Sequence, residues 1–271
     1  MNKLVIGNIK MNLISLTERE RYFKLFEKEL ANKNFSNTEI ILCPPFVHLE
    51  AFEKWKNKKV HPVKSPQGGV RGAKFNGVKL GAQNMFAETK GSYTGEISPA
   101  MLKSLGCEYV ILGHSERRRY LSENDHEINL KVISALKNGL IPILCVGENK
   151  GQEIITVIPE QLRDCLAGVS RVKIENVVIC YEPVWAISSN NPDHLPTTNE
   201  IMSARLLIRK FLVEKFGMKI AEKVKIIYGG SVAPANVVET CINSDMDGAL
   251  IGKESLTPYS FLRLAQIIDK S

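Results

Sequence analysis

No apolar run in this chain approaches the ~20 residues that a membrane-spanning helix needs. The first run, Leu4 to Ile6, is also far too short for the core of a signal peptide. No membrane partner is expected, and a cytoplasmic location is. The six cysteines include no Cys-x-x-Cys pair. Cys43, Cys145 and Cys180 sit in or at the end of apolar runs, where free thiols act as small core residues. That usage suits a reduced compartment. Basic residues outnumber acidic ones by 36 to 29, a formal net charge of +7 that favours an anionic ligand. They form no stripe interleaved with aromatics, so nucleic acid is not an expected partner. The densest basic cluster, Lys54 to Lys59, reads as a solvated helix end.

What the chain does contain is a rhythm. Short apolar runs alternate with longer amphipathic stretches over all 271 residues, with no linker dividing them. The runs are Leu4 to Ile6, Ile40 to Cys43, Lys79 to Ala82, Tyr109 to Leu112, Ile141 to Val146, Val177 to Tyr181, Val224 to Tyr228 and Ala249 to Ile251. Their continuous rather than alternating character fits parallel strands covered on both faces. Thr17 with Glu20 and Thr197 with Glu200 have the spacing of capping boxes. Ser98-Pro99 and Thr257-Pro258 place a cap before a proline at the first helical position. From Met202 to Phe216, Leu206, Leu207, Phe211 and Leu212 are expected to form one apolar helix face. Eight strand–helix units with right-handed crossovers predict a single-domain (β/α)8 barrel over residues 1–271. A doubly wound open sheet shares the same pattern. Residues 61–77, rich in glycine, proline and basic residues, break the rhythm before the third strand. They read as a flexible surface insertion on the barrel face away from the catalytic loops.

The chemistry-bearing residues fall at strand ends. Pro183 stops the sixth strand and fixes Glu182 at its C-terminal tip. Strand one ends in Asn8-Ile9-Lys10, strand four in Gly113-His114-Ser115-Glu116, strand seven in Gly229-Gly230-Ser231 and strand eight in Gly252-Lys253. Glycines after the last two strands expose backbone N–H groups able to cradle phosphate. A carboxylate, an imidazole and an ammonium in one barrel mouth suit proton abstraction beside a carbonyl. Singly, each feature has a bland reading: a core histidine, a solvated turn, a tight Gly-Gly bend. Their joint placement at five strand ends carries the functional reading.

On Gly113-His114-Ser115-Glu116-Arg117-Arg118 and Tyr181-Glu182-Pro183-Val184-Trp185-Ala186-Ile187, the chain resembles the triosephosphate isomerase family. Asn8 with Lys10, Tyr93 to Ser98, Cys145 to Glu148 and Tyr228 to Val232 support the likeness. The resemblance implies a TIM barrel that interconverts dihydroxyacetone phosphate and glyceraldehyde 3-phosphate in glycolysis and gluconeogenesis, with neither metal nor organic cofactor. It implies Glu182 as base, His114 as neutral electrophile, Lys10 and Asn8 as substrate contacts, and Ser115 and Glu116 as supporting residues. Ser188, Ser231 and Gly252 would hold phosphate. It also implies a homodimer through the loop around Thr94, and makes Glu96 and Arg117 candidate partners.

Four departures from the family stand out. Ile9 replaces an aromatic residue, and the lid tip Ser188 to Pro196 is longer and lacks glycine. Lys253 occupies the second position of the phosphate-binding pair, where an outward orientation beside Glu254 is expected. The insertion is the fourth. The altered lid and Lys253 keep a four-carbon ketose phosphate in view as an alternative substrate, and a non-catalytic sugar-phosphate-binding barrel is the rival from another class. A Schiff-base lyase has no support, because no strand-end lysine sits in a clearly apolar setting.

Overall fold

Each apolar run becomes a strand whose side chains alternate between two buried environments. The structure, a computed structural model, describes residues 2–31, 33–57, 63–64, 70–71, 77–190 and 192–271. Its eight barrel strands are β1 Lys3–Asn8, β2 Thr38–Cys43, β3 Val78–Ala82, β4 Cys107–Leu112, β5 Ile141–Val146, β6 Val178–Tyr181, β7 Lys225–Tyr228 and β8 Gly248–Ile251. All neighbours run parallel, and β8 returns to pair with β1 from Leu4 opposite Gly248 to Gly7 opposite Ile251. That closure excludes the open doubly wound sheet.

Helices α1 Leu16–Leu30, α2 Leu49–Lys56, α3 Pro99–Ser104, α4 Ser115–Tyr120, α5 Asp125–Lys137, α6 Ile154–Cys165, α7 Arg171–Ile174, α8 Thr198–Phe216, α9 Met218–Ala221 and α10 Pro258–Asp269 occupy the connections. The period of two along each strand divides the core. Leu4, Ile6, Ile41, Ile111, Ile143 and Ile227 fill the barrel interior with Cys43, Cys145 and Cys180. Val5, Leu42, Val110, Leu144 and Ile226 face the helix layer instead. All six cysteines are free and buried.

The helix signals hold with two corrections. Thr197 and Glu200 form a reciprocal capping box at the start of α8, and Ser98 caps α3 ahead of Pro99. The α1 cap, however, is Ser15 rather than Thr17. Its hydroxyl accepts from the Glu18 N–H at 3.1 Å, and the Glu18 carboxylate accepts from the Ile14 N–H at 2.9 Å. A cap two residues earlier places Thr17 inside the first turn. On α8 the buried stripe is Ile201, Ala204, Ile208, Leu212 and Phe216. Leu206 is 55% exposed, and Leu207 and Phe211 pack only at the margin.

The Thr197 backbone N–H, followed by its hydroxyl, holds the Glu200 carboxyl below the usual carboxylate range. A lowered folded-state value means the cap is complete above the ordinary carboxylate range and weakens as pH falls through the lowered value. Thr197→Ala is expected to lower stability by about 1 kcal/mol. Urea denaturation at neutral pH measures the loss, which shrinks once Glu200 is protonated.

Most of the insertion 61–77 lies outside the described residues. Within it, the backbone of Val63–Lys64 pairs antiparallel with Val70–Arg71.

Candidate functional site

The C-terminal ends of the strands surround a cavity of about 340 Å³, lined among others by Asn8, Lys10, His114, Ser188, Gly252 and Lys253. Asn8 ends β1, and its side-chain oxygen accepts from the Lys10 N–H at 3.1 Å. Lys10 adopts a left-handed backbone with φ of 55°, costly for a residue with a side chain. Gln83, at the end of β3, helps hold that conformation. Its amide donates to the carbonyls of Lys10 and Cys43, each at 2.9 Å. The strain aims the Lys10 ammonium across the mouth, where it meets Glu116 Oε1 at 2.5 Å. It also brings the lysine stem alongside Gly252.

On the opposite wall, Gly113 follows β4 in the left-handed region, with φ of 69°, and a Cβ there would press on Ile128 at 2.9 Å. The bend presents His114 as the N-cap of α4. His114 Nδ1 accepts from the Glu116 N–H at 3.2 Å. An accepting Nδ1 carries no proton, so the ring is neutral and its proton sits on Nε2. That Nε2 lies 3.4 Å from Glu182 Oε1. Glu182, 2% exposed, follows β6, and its other oxygen accepts from the Ser115 N–H at 3.1 Å. Oε1 has no hydrogen-bond partner among the described residues. Ser115, Glu116 and Glu182 are not among the lining residues but contact them, Glu116 through Lys10 and Glu182 through His114.

The lid after β6 is built from two short 3-10 turns, Val184–Ala186 and Ser188–Asn190. Its first turn is anchored by Glu148, buried after β5, which accepts from Trp185 Nε1 at 2.7 Å and Tyr181 OH at 3.2 Å. Desolvation raises the Glu148 pKa against the lowering effect of these donors. The tip is fastened by the Ser188 and Ser231 hydroxyls, 2.7 Å apart, and by Ser231 Oγ donating to Ala186 O at 2.8 Å. Ser231 therefore spends its hydroxyl on the lid and is not part of the lining. Asn190 is held by Arg119 Nη1 at 3.0 Å, while Asn191 lies outside the described residues.

Two expectations are corrected. Lys253 is exposed, as expected, at the edge of the cavity, but Glu254 accepts from the Ser260 hydroxyl instead of pairing with it. Arg117 pairs with the buried Glu123, Nε to Oε1 at 3.2 Å, rather than with Glu96. Ile9 is fully buried at the cavity floor, a packing change. The sequence reading missed Gln83 and the anchoring role of Glu148. Gln83 was discoverable as the polar residue ending the third run, whereas nothing near Glu148 announces its indole partner.

A closed parallel barrel whose mouth joins a carboxylate, a neutral imidazole and an ammonium over a glycine-edged cavity defines an acid–base enzyme of the (β/α)8 class. The family model described as triosephosphate isomerase matches residues 3–268. Among known proteins, "Triosephosphate isomerase" of Dictyoglomus thermophilum is 41% identical over 97% of this chain and 98% of its own. That of Thermoanaerobacter pseudethanolicus is 40% identical over 96% and 97%, and that of Clostridium perfringens 38% over 98% of both. The chain belongs to the triosephosphate isomerase family. A glutamate base beside a neutral imidazole is the established pattern there.

Proposed function

We infer that this enzyme interconverts dihydroxyacetone phosphate and D-glyceraldehyde 3-phosphate through an enediolate, the glycolytic and gluconeogenic isomerisation. The observation that carries the residue assignment is the facing of Glu182 and the neutral His114, 3.4 Å apart, beside a cavity that Lys10 enters. Glu182 removes a proton from the carbon next to the carbonyl and returns it to the neighbouring carbon. To do so its side chain turns from the Ser115 N–H toward the cavity. His114 Nε2–H and the Lys10 ammonium donate to the oxygens on which negative charge develops. Asn8 keeps the Lys10 backbone in place. Backbone N–H groups near Ser188, Ser231 and Gly252 hold the phosphate, with Lys253 adding charge at the rim.

Steady-state kinetics with dihydroxyacetone phosphate and a four-carbon ketose phosphate test this reading. A far higher kcat/KM for the triose is expected. A preference for the longer sugar, or binding of phosphoglycolate without turnover, would overturn it. Removing the rim charge with Lys253→Gly is expected to raise KM about fivefold, equivalent to ~1 kcal/mol for one solvated charge near a phosphate. The difference narrows in high salt. An unchanged KM would show that Lys253 touches no phosphate.

We further propose one barrel domain, with residues 61–77 on the face away from the mouth, because α2 ends and β3 begins on that side. We propose a homodimer through the exposed loop around Thr94. Met11, Ile14 and Val47, 92%, 86% and 83% exposed, are apolar side chains that a partner would cover. Light scattering should give twice the 30.3 kDa chain mass. A cytoplasmic location fits the six free thiols. No helix among the described residues is long and apolar enough to cross a membrane.

A further inference from the structure

Cys145 and Cys180 are thiols that the proton-transfer chemistry leaves unused. They are register partners across β5 and β6, and both face the barrel interior. Glu182 lies two residues beyond Cys180 and so on the same side of the chain. Both Sγ atoms and a Glu182 carboxylate oxygen lie within 4.8 Å of one another, and all three residues are buried. Tetrahedral coordination with metal–sulfur bonds of about 2.3 Å sets ligand atoms roughly 3.8 Å apart, so side-chain shifts of about an ångström gather these three around one ion. The approach is from the mouth, across Gly229. A Cβ there would come within 2.5 Å of Cys180 Sγ and 2.8 Å of Glu182 Cγ, so only a bare backbone separates the group from the cavity.

We propose that Cys145, Cys180 and Glu182 bind a soft divalent cation, Zn²⁺ or Cd²⁺, and that occupancy silences the enzyme by engaging its carboxylate. On binding, each thiol releases its proton to solvent and each sulfur donates a lone pair to the ion. The carboxylate supplies a third donor, and no electron is transferred. Soft thiolate ligands select such ions over Mg²⁺ or Ca²⁺. Silencing rests on Glu182 being the base, whereas binding does not.

The test titrates the full chain with Cd²⁺, following sulfur-to-cadmium charge-transfer absorbance, metal bound at equilibrium dialysis, and triose phosphate turnover. One ion per chain, a thiolate band and at least a tenfold loss of turnover that a chelator reverses are expected. Cys180→Ala should keep its metal-free turnover, lose the band and need at least tenfold more Cd²⁺ for the same inhibition. Cys180→Ser, closer in size, serves if the alanine variant is unstable. Glu182→Gln should bind Cd²⁺ at least tenfold more weakly. No band, equal inhibition of Cys180→Ala and the parent, or undiminished affinity in Glu182→Gln would overturn the site. If Glu182→Gln is active without metal yet binds Cd²⁺ weakly, the site stands and the silencing falls, together with the role of Glu182 as base.

Discussion

Replacing Glu182 with glutamine lowers kcat by about 10³- to 10⁴-fold, while affinity for phosphoglycolate stays within about twofold. Glutamine preserves the length of the side chain and its acceptor toward the Ser115 N–H. It removes the one group able to accept and return the substrate proton. The phosphate contacts lie on other strand ends, so binding is spared. Single-turnover kinetics and a binding titration separate the two effects. Activity surviving within tenfold would remove Glu182 from the role.

Lys10→Met carries the second largest effect, a fall in kcat/KM on the order of 10³-fold. Loss of a single preorganised donor to a developing oxyanion typically costs 10²- to 10³-fold. Lys10 adds a full charge to that donor, and its stem is already held beside Gly252. Methionine keeps the apolar stem and leaves the Glu116 carboxylate without its ion-pair partner at the mouth. Repulsion between that carboxylate and a phosphorylated substrate should raise KM as well. A variant with unchanged KM and kcat would show that the ammonium serves Glu116 alone.

Much of this was legible in the sequence because parallel strands mark their own ends. Pro183 after an apolar run located Glu182, and the run before Gly113 located His114. Barrel closure then brings those two tips together. Less legible were contacts that depend on side-chain direction or on two distant segments. Lys253 beside Glu254 looked like an ion pair, yet the Glu254 carboxylate turns to the Ser260 hydroxyl instead. Leu206 matched an apolar period but lies exposed, off the buried stripe of α8, where packing against the barrel selects Ile208 and Leu212. Arg117 could not reveal Glu123, because the pairing depends on how the chain turns after α4. The period of two hinted that Cys180 and Glu182 share a side. The register that adds Cys145 is a property of the sheet alone.

The strand that begins the chain is sealed by the one that comes last, with Leu4 opposite Gly248. On a ribosome, β1 therefore emerges long before its permanent neighbour exists, and one of its edges waits unpaired through most of synthesis. Such an edge is open to adventitious association. Nascent chains stalled before Gly248 should be protease-sensitive and prone to engage holding chaperones, with resistance gained only once the final hydrophobic segment clears the exit tunnel.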